Sequence, residues 1–216
     1  MDLAYVSSHL PKWDALATGN IPKSKFIAAY EERTKENPGL PPLRWTPTTT
    51  TFRKDLKKVF ILAEDSRFYS HAGIDLTAIK DATIYNYNRG KIALGASTIS
   101  QQTAKNLFLT NDRTPLRKWH ELILTLSMEH QLTKDAILHL YLNIAEFGQG
   151  VYGLEAAAQT YFGVSSNNLS IEQAIALAAS LPSPKKHNPK TKTRRFLKRT
   201  EKIAGFLRMT QPPLQN

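Results

Sequence analysis

The chain has 216 residues, 41% of them hydrophobic and 22% charged, and it contains no cysteine. This composition is typical of a folded globular protein with one main domain, and it excludes disulfide bonds, thiolate zinc sites and cysteine nucleophiles. The net charge of +11 is uneven, because residues 185–208 hold ten Lys and Arg against a single acid. Such a basic face can meet nucleic acid, anionic lipid headgroups or only solvent. Its only aromatic residues are Phe196 and Phe206, so we expect no nucleic-acid partner.

Start and stop signals for helices recur along the chain, whereas strand signals are weak. Helix starts are indicated by N-cap residues and by proline at a first helical position, at Asp75, Ser97, Thr114-Pro115, Thr133 and Ser170. Helix ends are indicated by glycine and proline. The predicted helices cover residues 25–36, 53–64, 76–88, 98–109, 115–131, 134–142, 153–162, 171–181 and 192–209. The predicted fold class is therefore mainly α.

The densest polar segment is residues 95–106, which read G-A-S-T-I-S-Q-Q-T-A-K-N. Hydroxyl and amide side chains stand there at positions where helical periodicity would place core residues. Buried polar groups cost free energy unless they are hydrogen-bonded, so this density indicates a surface that binds a polar ligand. A second polar cluster, residues 64–73, lies about thirty residues upstream.

Four motifs follow one another with short spacers: E-D-x-x-F-x-x-H-x-G at 64–73, G-x-S-T-I-S-Q-Q-x-x-K-N-L-F-L at 95–109, R-K-x-x-E at 117–121 and Y-L-N at 141–143. Taken alone, Glu64 and Glu121 are each typical of an ordinary surface carboxylate. Together, the motifs resemble the signature of the family 51 glycosyltransferases, the peptidoglycan glycan polymerases, over residues 59–189. The runs 147–158, 161–163 and 181–184 are similar to the monofunctional biosynthetic branch of that family.

The resemblance implies a lysozyme-like helical domain with a smaller membrane-facing jaw lobe. It implies an N-terminal juxtamembrane-like segment (1–50), a glycosyltransferase catalytic domain (51–190) and a basic C-terminal helix (191–216) that packs on or extends this domain. The segment 84–94 is our candidate for a membrane-facing lip. The implied location is the outer face of the bacterial cytoplasmic membrane, with the catalytic domain periplasmic or extracellular.

The implied reaction joins a lipid II acceptor to a growing glycan strand on undecaprenyl pyrophosphate. The acceptor's 4-hydroxyl attacks the donor's anomeric carbon with inversion, and undecaprenyl pyrophosphate leaves. This chemistry requires a base for the hydroxyl and cations for the leaving group. Glu64 matches the family's general base, and Glu121 matches a second carboxylate that orients those cations or a divalent metal. The other matched positions would bind substrate: Asp65, Phe68, Ser97, Thr98, Gln101, Gln102, Lys105, Asn106, Arg113, Arg117 and Lys118.

The sequence predicts no metal site and requires no cofactor, because no ligand cage can be read from the residue spacing. Mg²⁺ or Mn²⁺ at the pyrophosphate is the alternative that phosphate chemistry leaves open. The partners that the resemblance implies are lipid II, the growing lipid-linked glycan strand, the membrane surface, and other proteins of cell-wall synthesis or division.

Two other functions fit parts of the sequence. The turn at residues 64–68 is faintly similar to the catalytic turn of lytic transglycosylases, which cleave peptidoglycan with a lysozyme-like fold. Cleavage releases a sugar hydroxyl, however, so it does not require four cations around a leaving group. The second alternative is a basic helical protein that binds an anionic polymer through residues 185–208. That function leaves the motifs in the middle of the chain unexplained.

Overall fold

Helices make up most of the computed structural model, which describes residues 11–17, 21–91, 95–110, 112 and 114–210. In chain order, the α-helices of these residues are α1 (Trp13–Ala17), α2 (Lys25–Glu36), α3 (Lys54–Glu64), α4 (Leu76–Arg89), α5 (Ile99–Phe108), α6 (Pro115–Gln131), α7 (Lys134–Ile144), α8 (Leu154–Phe162), α9 (Ile171–Ser180) and α10 (Arg194–Met209). Two 3₁₀ turns, Phe68–Ser70 and Ser166–Asn168, accompany them. The predicted mainly α, lysozyme-like fold class is confirmed.

The capping residues in the sequence predicted most helix ends to within a few residues of the observed ends. Thr114 caps α6 and Pro115 is its first residue, as predicted. Gly90 ends α4 in the left-handed conformation, with φ of 61°. At the start of α9, Ser170 and Gln173 form the predicted capping box, in which each side chain accepts a hydrogen bond from the other residue's backbone N–H. The short helix α1 was not predicted, because five residues carry too little periodicity to be recognised.

Helix α5 lies at the centre of the packing. It packs against α6 and α7 on one side and α2 on another, while α3 packs against α9 and α10. A single cluster of buried apolar side chains runs through both groups of helices. Because the C-terminal end of α3 lies beside α5, the last residue of α3, Glu64, reaches a side chain in the middle of α5.

A small sheet joins the segment before α3 to the turn after α7. Its strands are β1 (Arg44–Trp45), β2 (Glu146–Gly148) and β3 (Val151–Tyr152), in the order β1-β3-β2. β2 and β3 form an antiparallel hairpin with an irregular register, and β1 pairs with β3 in parallel. The sheet holds α2 and β1 against the core, but strands of two or three residues leave no alternation in the sequence to predict them.

The N-terminus of α5 corrects one prediction. The N-cap is Thr98, not Ser97, which is exposed. Thr98 and Gln101 form a capping box, so the hydroxyl of Thr98 accepts from the Gln101 N–H and the Gln101 side chain accepts from the Thr98 N–H. The Thr98 hydroxyl also donates to the carbonyl oxygen of Gly73 at 2.6 Å. Ser97 and Thr98 both have a hydroxyl group that can cap a helix. Thr98 is the cap because its hydroxyl also reaches the buried carbonyl oxygen of Gly73.

The hydrogen bond from Thr98 to the Gly73 carbonyl oxygen is possible because glycine has no side chain, which lets this turn lie close to α6. Gly73 has φ of +92°, and a Cβ there would lie 2.8 Å from Cγ2 of Thr125 on α6. A larger residue would therefore be strained in its backbone and would also push the turn away from α6. Beside it, a carboxylate oxygen of Asp65 accepts from the N–H of Ile99 at 3.0 Å. The buried start of α5 is thus held by the loop that follows α3.

We predict that Thr98→Ala lowers the free energy of unfolding by about 2 kcal/mol, because it removes the N-cap and leaves the Gly73 carbonyl oxygen without its hydroxyl donor. Ser97→Ala is the matched control and should change it by less than about 0.5 kcal/mol. Urea unfolding with an unchanged m-value measures both. Equal losses in the two variants would contradict this assignment of the cap.

Candidate active site

Glu64 is a largely buried carboxylate held by two donors from distant parts of the chain. One oxygen accepts from Nη2 of Arg199 on α10 at 2.7 Å, and the other accepts from Nε2 of Gln102 on α5 at 3.1 Å. The same Arg199 nitrogen donates to the carbonyl oxygen of Ala63 at 3.0 Å. The Glu64 side chain is 10% exposed. Burial raises its pKa above the ordinary value of 4.5, and Arg199 and Gln102 oppose that rise.

Gln102 links Glu64 to the next turn of α5. Its carbonyl oxygen accepts from the hydroxyl of Tyr141 at 3.3 Å while its amide nitrogen donates to Glu64, so its orientation is fixed. One turn further along α5, Lys105 and Asn106 line the same cavity of about 320 Å³ as Gln102 and Tyr141. The proton acceptor and the first cation of the predicted site are therefore connected along one helix face.

The predicted cations gather around a second buried carboxylate. Glu121 is 3% exposed and accepts from Nη1 of Arg117 at 2.7 Å and from Nζ of Lys118. Lys105 is largely buried, and this burial lowers its pKa, with Glu121 acting against the shift and the charges of Arg117 and Lys118 adding to it. Nζ of Lys105 also lies 5.6 Å from the ring centroid of Phe26. Glu121, which taken alone is typical of a surface carboxylate, is instead buried beneath partly exposed cations.

Arg113, the remaining cation of the prediction, lies outside the described residues. Ser97 and Glu64 line a smaller cavity of about 130 Å³ at the start of α5. Ser97 is exposed and therefore accessible to a ligand. Together with Gln102, Lys105, Asn106, Arg117 and Lys118, it belongs to the predicted substrate-binding residues that keep some exposure.

Asp65 and Phe68 were predicted to bind substrate. Both are buried, but Asp65 lines the same small cavity as Glu64 and Ser97, and substrate contact stays a prediction. Phe68 is fully buried beneath the turn, with Nζ of Lys134 at 4.5 Å from its ring centroid. The carboxylate of Asp65 accepts from the Ile99 N–H and lies 3.1 Å from Nε2 of His71. The carboxylate of Asp65 is hydrogen-bonded within the protein and the ring of Phe68 is packed in its interior. Both side chains therefore stabilise the turn.

His71 acts as a hydrogen-bonding support in this turn. Its Nδ1 lies 3.1 Å from the Gly73 N–H, which must donate, so Nδ1 is the acceptor. The proton therefore resides on Nε2, which donates to Asp65. His71 is therefore a structural residue of the turn.

Thr98 and Gln101 were also predicted to bind substrate. They are 2% and 6% exposed, and their side chains form the capping box of α5. Their hydrogen-bonding atoms are occupied by backbone groups, so both residues position the helix. Thr98 also lines the small cavity beside Glu64, and contact of either residue with substrate stays a prediction. They hold the first turn of α5, and so set where Gln102 and Lys105 lie.

One group of side chains in the described ranges could hold a metal ion, and it is not at the cation cluster. Ligand atoms of Asp65, His71 and Asp75 lie within 4.8 Å of one another. Asp65 already bonds to His71, and Asp75 accepts from the guanidinium of Arg67 at 2.8 and 3.0 Å. At the cluster itself, Arg117 and Lys118 occupy Glu121. The residues present thus form no ready cage of oxygen ligands for Mg²⁺ or Mn²⁺.

Arg199 is the residue of this site that the sequence did not reveal. It lies in the basic segment 185–208, where nine neighbouring cations give it no distinguishing feature. Its side chain turns inward to Glu64 across 135 positions of sequence. A helical pattern with Phe196, Ile203 and Leu207 on the buried side places Arg199 beside that side, and this is the one signal available.

A buried carboxylate and a set of cations reached along the same helix can supply a proton acceptor and offset the charge of an anionic leaving group, as some group-transfer enzymes require. Comparison with known proteins agrees with this class. A family model described as Transglycosylase matches residues 41–208, and the chain belongs to this family. The resemblance seen in the motifs is therefore confirmed.

Several known proteins are similar in sequence to most of this chain. It is 43% identical over 170 residues to a biosynthetic peptidoglycan transglycosylase of Nitrosospira multiformis, covering 79% of this chain and 74% of that protein. Identity is 46% over 162 residues to a protein of the same description from Bordetella avium, covering 73% and 68%. It is 48% over 142 residues to one from Ralstonia nicotianae, covering 66% and 60%.

Proposed function

We propose that this protein is a peptidoglycan glycosyltransferase that polymerises lipid II into glycan strands, with inversion at the anomeric carbon and release of undecaprenyl pyrophosphate. Membership of the transglycosylase family supports the enzyme class. One observation carries the mechanism: Gln102 holds the Glu64 carboxylate, and one turn along the same helix Lys105 lines the same cavity, within the electrostatic influence of Glu121, Arg117 and Lys118. A base and a leaving-group site are thereby positioned by a single rigid element.

Glu64 is the general base of the proposed reaction. The oxygen of the acceptor's 4-hydroxyl forms a bond with the donor's anomeric carbon, its proton passes to the Glu64 carboxylate, and the bond from that carbon to pyrophosphate oxygen breaks. Ionised Glu64 is required, so Arg199 matters because it favours the charged form against the effect of burial. The donor from Gln102 fixes which way the carboxylate faces.

Lys105, Arg117 and Lys118 stabilise the departing pyrophosphate. Arginine can bond two phosphate oxygens with one guanidinium, and partial burial strengthens each interaction. Glu121 keeps Arg117 and Lys118 in place while the site is empty and offsets part of their mutual repulsion. Arg113 stays a predicted contributor, as does a divalent cation that would take its ligands from phosphate and water.

The cation cluster also decides between polymerisation and the alternative, cleavage of peptidoglycan by a lytic transglycosylase. In cleavage, the leaving group is a neutral sugar hydroxyl, which offers the cation cluster no negative charge to stabilise. In polymerisation, the leaving group carries the charge that this cluster complements. The observation therefore favours synthesis.

The proposed substrate keeps its lipid in a bilayer, which makes a membrane surface part of the proposal. None of the described helices combines the length and the apolar composition needed to cross a membrane. Helix α4 instead exposes Leu76, Ile79, Ile84 and Tyr87, which fall within about 140° around the helix at 100° per residue. We place this face at the outer surface of the cytoplasmic membrane. Interaction with other proteins of cell-wall synthesis or division, and the division at residues 50 and 190, remain predictions.

We predict that Glu64→Gln lowers the rate of lipid II polymerisation by about 10²–10⁴, because the amide cannot accept the proton. Lipid II binding and the unfolding midpoint should be retained. The control is Glu201→Gln, an exposed acid on α10. Polymerisation at the unaltered rate would remove Glu64 from the role of base. Release of anhydro-sugars from mature cell wall would instead identify a cleaving enzyme.

The raised pKa of Glu64 sets the acidic limb of the pH profile. The base is ionised only above its pKa, so kcat/KM should fall as the pH drops through a value higher than 4.5. Arg199→Met removes a charge that lowers this pKa, and the acidic limb should therefore move to higher pH. Lys198→Met, an exposed neighbour, should leave the limb unchanged. An unmoved limb in Arg199→Met, with reduced kcat throughout, would show that Arg199 supports only structure.

For membrane contact, we predict that Ile84→Ser with Tyr87→Ser reduces flotation of the chain with anionic liposomes, because both side chains would insert into the interface. The matched control is Leu126→Ser with Leu197→Ser, two exposed leucines on other helices. If the α4 variant floats as well as the control, the membrane-facing surface lies elsewhere.

A further inference from the structure

The cavity at Lys105 adjoins a second cavity, with which it shares lining side chains. The first, of about 320 Å³, is lined by the candidate substrate residues Gln102, Lys105 and Asn106. The second, of about 210 Å³, lies between α2 and the end of α5. Both are lined by the same three side chains: Phe26, Glu146 and Tyr152. These shared side chains make the two cavities neighbours, so one branched ligand is a candidate occupant of both.

The second cavity has a distinctive charge pattern. Lys25, Arg33 and Lys185 provide three cations, and Glu146 is the one acid in its lining. Lys25 and Arg33 form no ion pair within the described part of the chain, and both are exposed at the rim. An excess of positive charge over a half-enclosed space favours a ligand that carries carboxylate or phosphate groups.

Glu146 adds a requirement for a hydrogen-bond donor. Its Oε1 is buried and accepts no hydrogen bond from the protein, and the nearest cation, Nζ of Lys185, is 3.6 Å away, beyond hydrogen-bonding distance. Burial raises the pKa of this carboxyl, and Lys185 opposes that change. A buried acceptor without a donor is costly, so a ligand ammonium group at this position would relieve it.

The walls between these charges are apolar. Phe26, Ala29, Leu109 and Tyr152 line the cavity together with Tyr30, whose hydroxyl is already used in a bond to the Pro41 carbonyl oxygen at 2.8 Å. The ring of Tyr30 lies beneath the guanidinium of Arg33 at 5.9 Å. The occupant therefore presents small apolar groups between its carboxylates and its amine.

We infer that the second cavity binds the stem peptide of the muramic-acid sugar held in the first. This inference rests on the proposed function. A stem peptide carries free carboxylates, one side-chain amine and alanine methyl groups, which match the three cations, the Glu146 acceptor and the apolar walls. The sugars of the strand are neutral, and Lys105, which the proposal assigns to the pyrophosphate, lines the first cavity and not the second, so neither accounts for the charges of the second cavity.

The residues of this subsite bind the peptide and do not touch the reacting atoms. Their contacts are equal in the ground state and the transition state, so their loss should raise KM and leave kcat nearly unchanged. The effect should also depend on the peptide itself. A cycle that changes the protein and the substrate separately and together isolates that dependence.

The experiment compares polymerisation of two substrates: lipid II with its complete stem peptide and lipid II whose peptide is shortened to one alanine amide. The variant Lys25→Gln with Arg33→Gln should raise KM about tenfold on the complete substrate, equivalent to about 1.4 kcal/mol. On the shortened substrate it should match the unaltered protein. Lys35→Gln, an exposed cation on α2 outside the cavity lining, is the control.

A second arm tests Glu146. Glu146→Gln should raise KM for lipid II with a free stem amine and have no effect when that amine is acetylated, with the unfolding midpoint recorded for each variant. Equal losses on both members of a substrate pair, or no loss on either, would overturn the subsite while polymerisation itself continues. If the unaltered protein polymerises neither substrate, the proposed function fails and the subsite fails with it.

Discussion

The start of helix α5 is buried, and its first backbone N–H groups must be satisfied inside the protein. Thr98 and Gln101 supply two of the acceptors through the capping box, and Asp65 supplies another to Ile99. This constraint ties the loop after α3 to α5 and therefore fixes the distance between the end of one helix and the middle of the other. Glu64 and Gln102 are within hydrogen-bonding distance because the pairing of these backbone groups holds the end of α3 beside α5.

Burial also shifts the pKa values of two ionisable groups at α5, Glu64 beside the helix and Lys105 on it. Desolvation raises the pKa of Glu64 and lowers that of Lys105, so each group is pushed toward its neutral form. For each group an opposite charge acts against that shift, Arg199 for the carboxylate and Glu121 for the lysine. The proposed mechanism needs an ionised base and a protonated lysine at neutral pH, and the two charges that favour these forms come from different helices.

The helices could largely be predicted because their signals are local. Pro115 at a first helical position, Gly90 at a helix end and the capping box at Ser170 act within one or two turns, and each is visible in a short window of sequence. The cap of α5 was placed one residue early because Ser97 and Thr98 share the same chemistry. Only the carbonyl oxygen of Gly73, brought in from another turn, distinguishes them.

The sequence by itself determined the mainly α class, the family and the residues from which the site is built, since these follow from local periodicity and from motifs of fixed spacing. Tertiary structure alone decided which of those residues remain available to a ligand. Phe68 and Asp65 are used inside the turn, whereas Arg199 enters the site from a basic helix far along the chain. The physical reason is that burial and pairing depend on contacts between distant segments, which no short stretch of sequence contains.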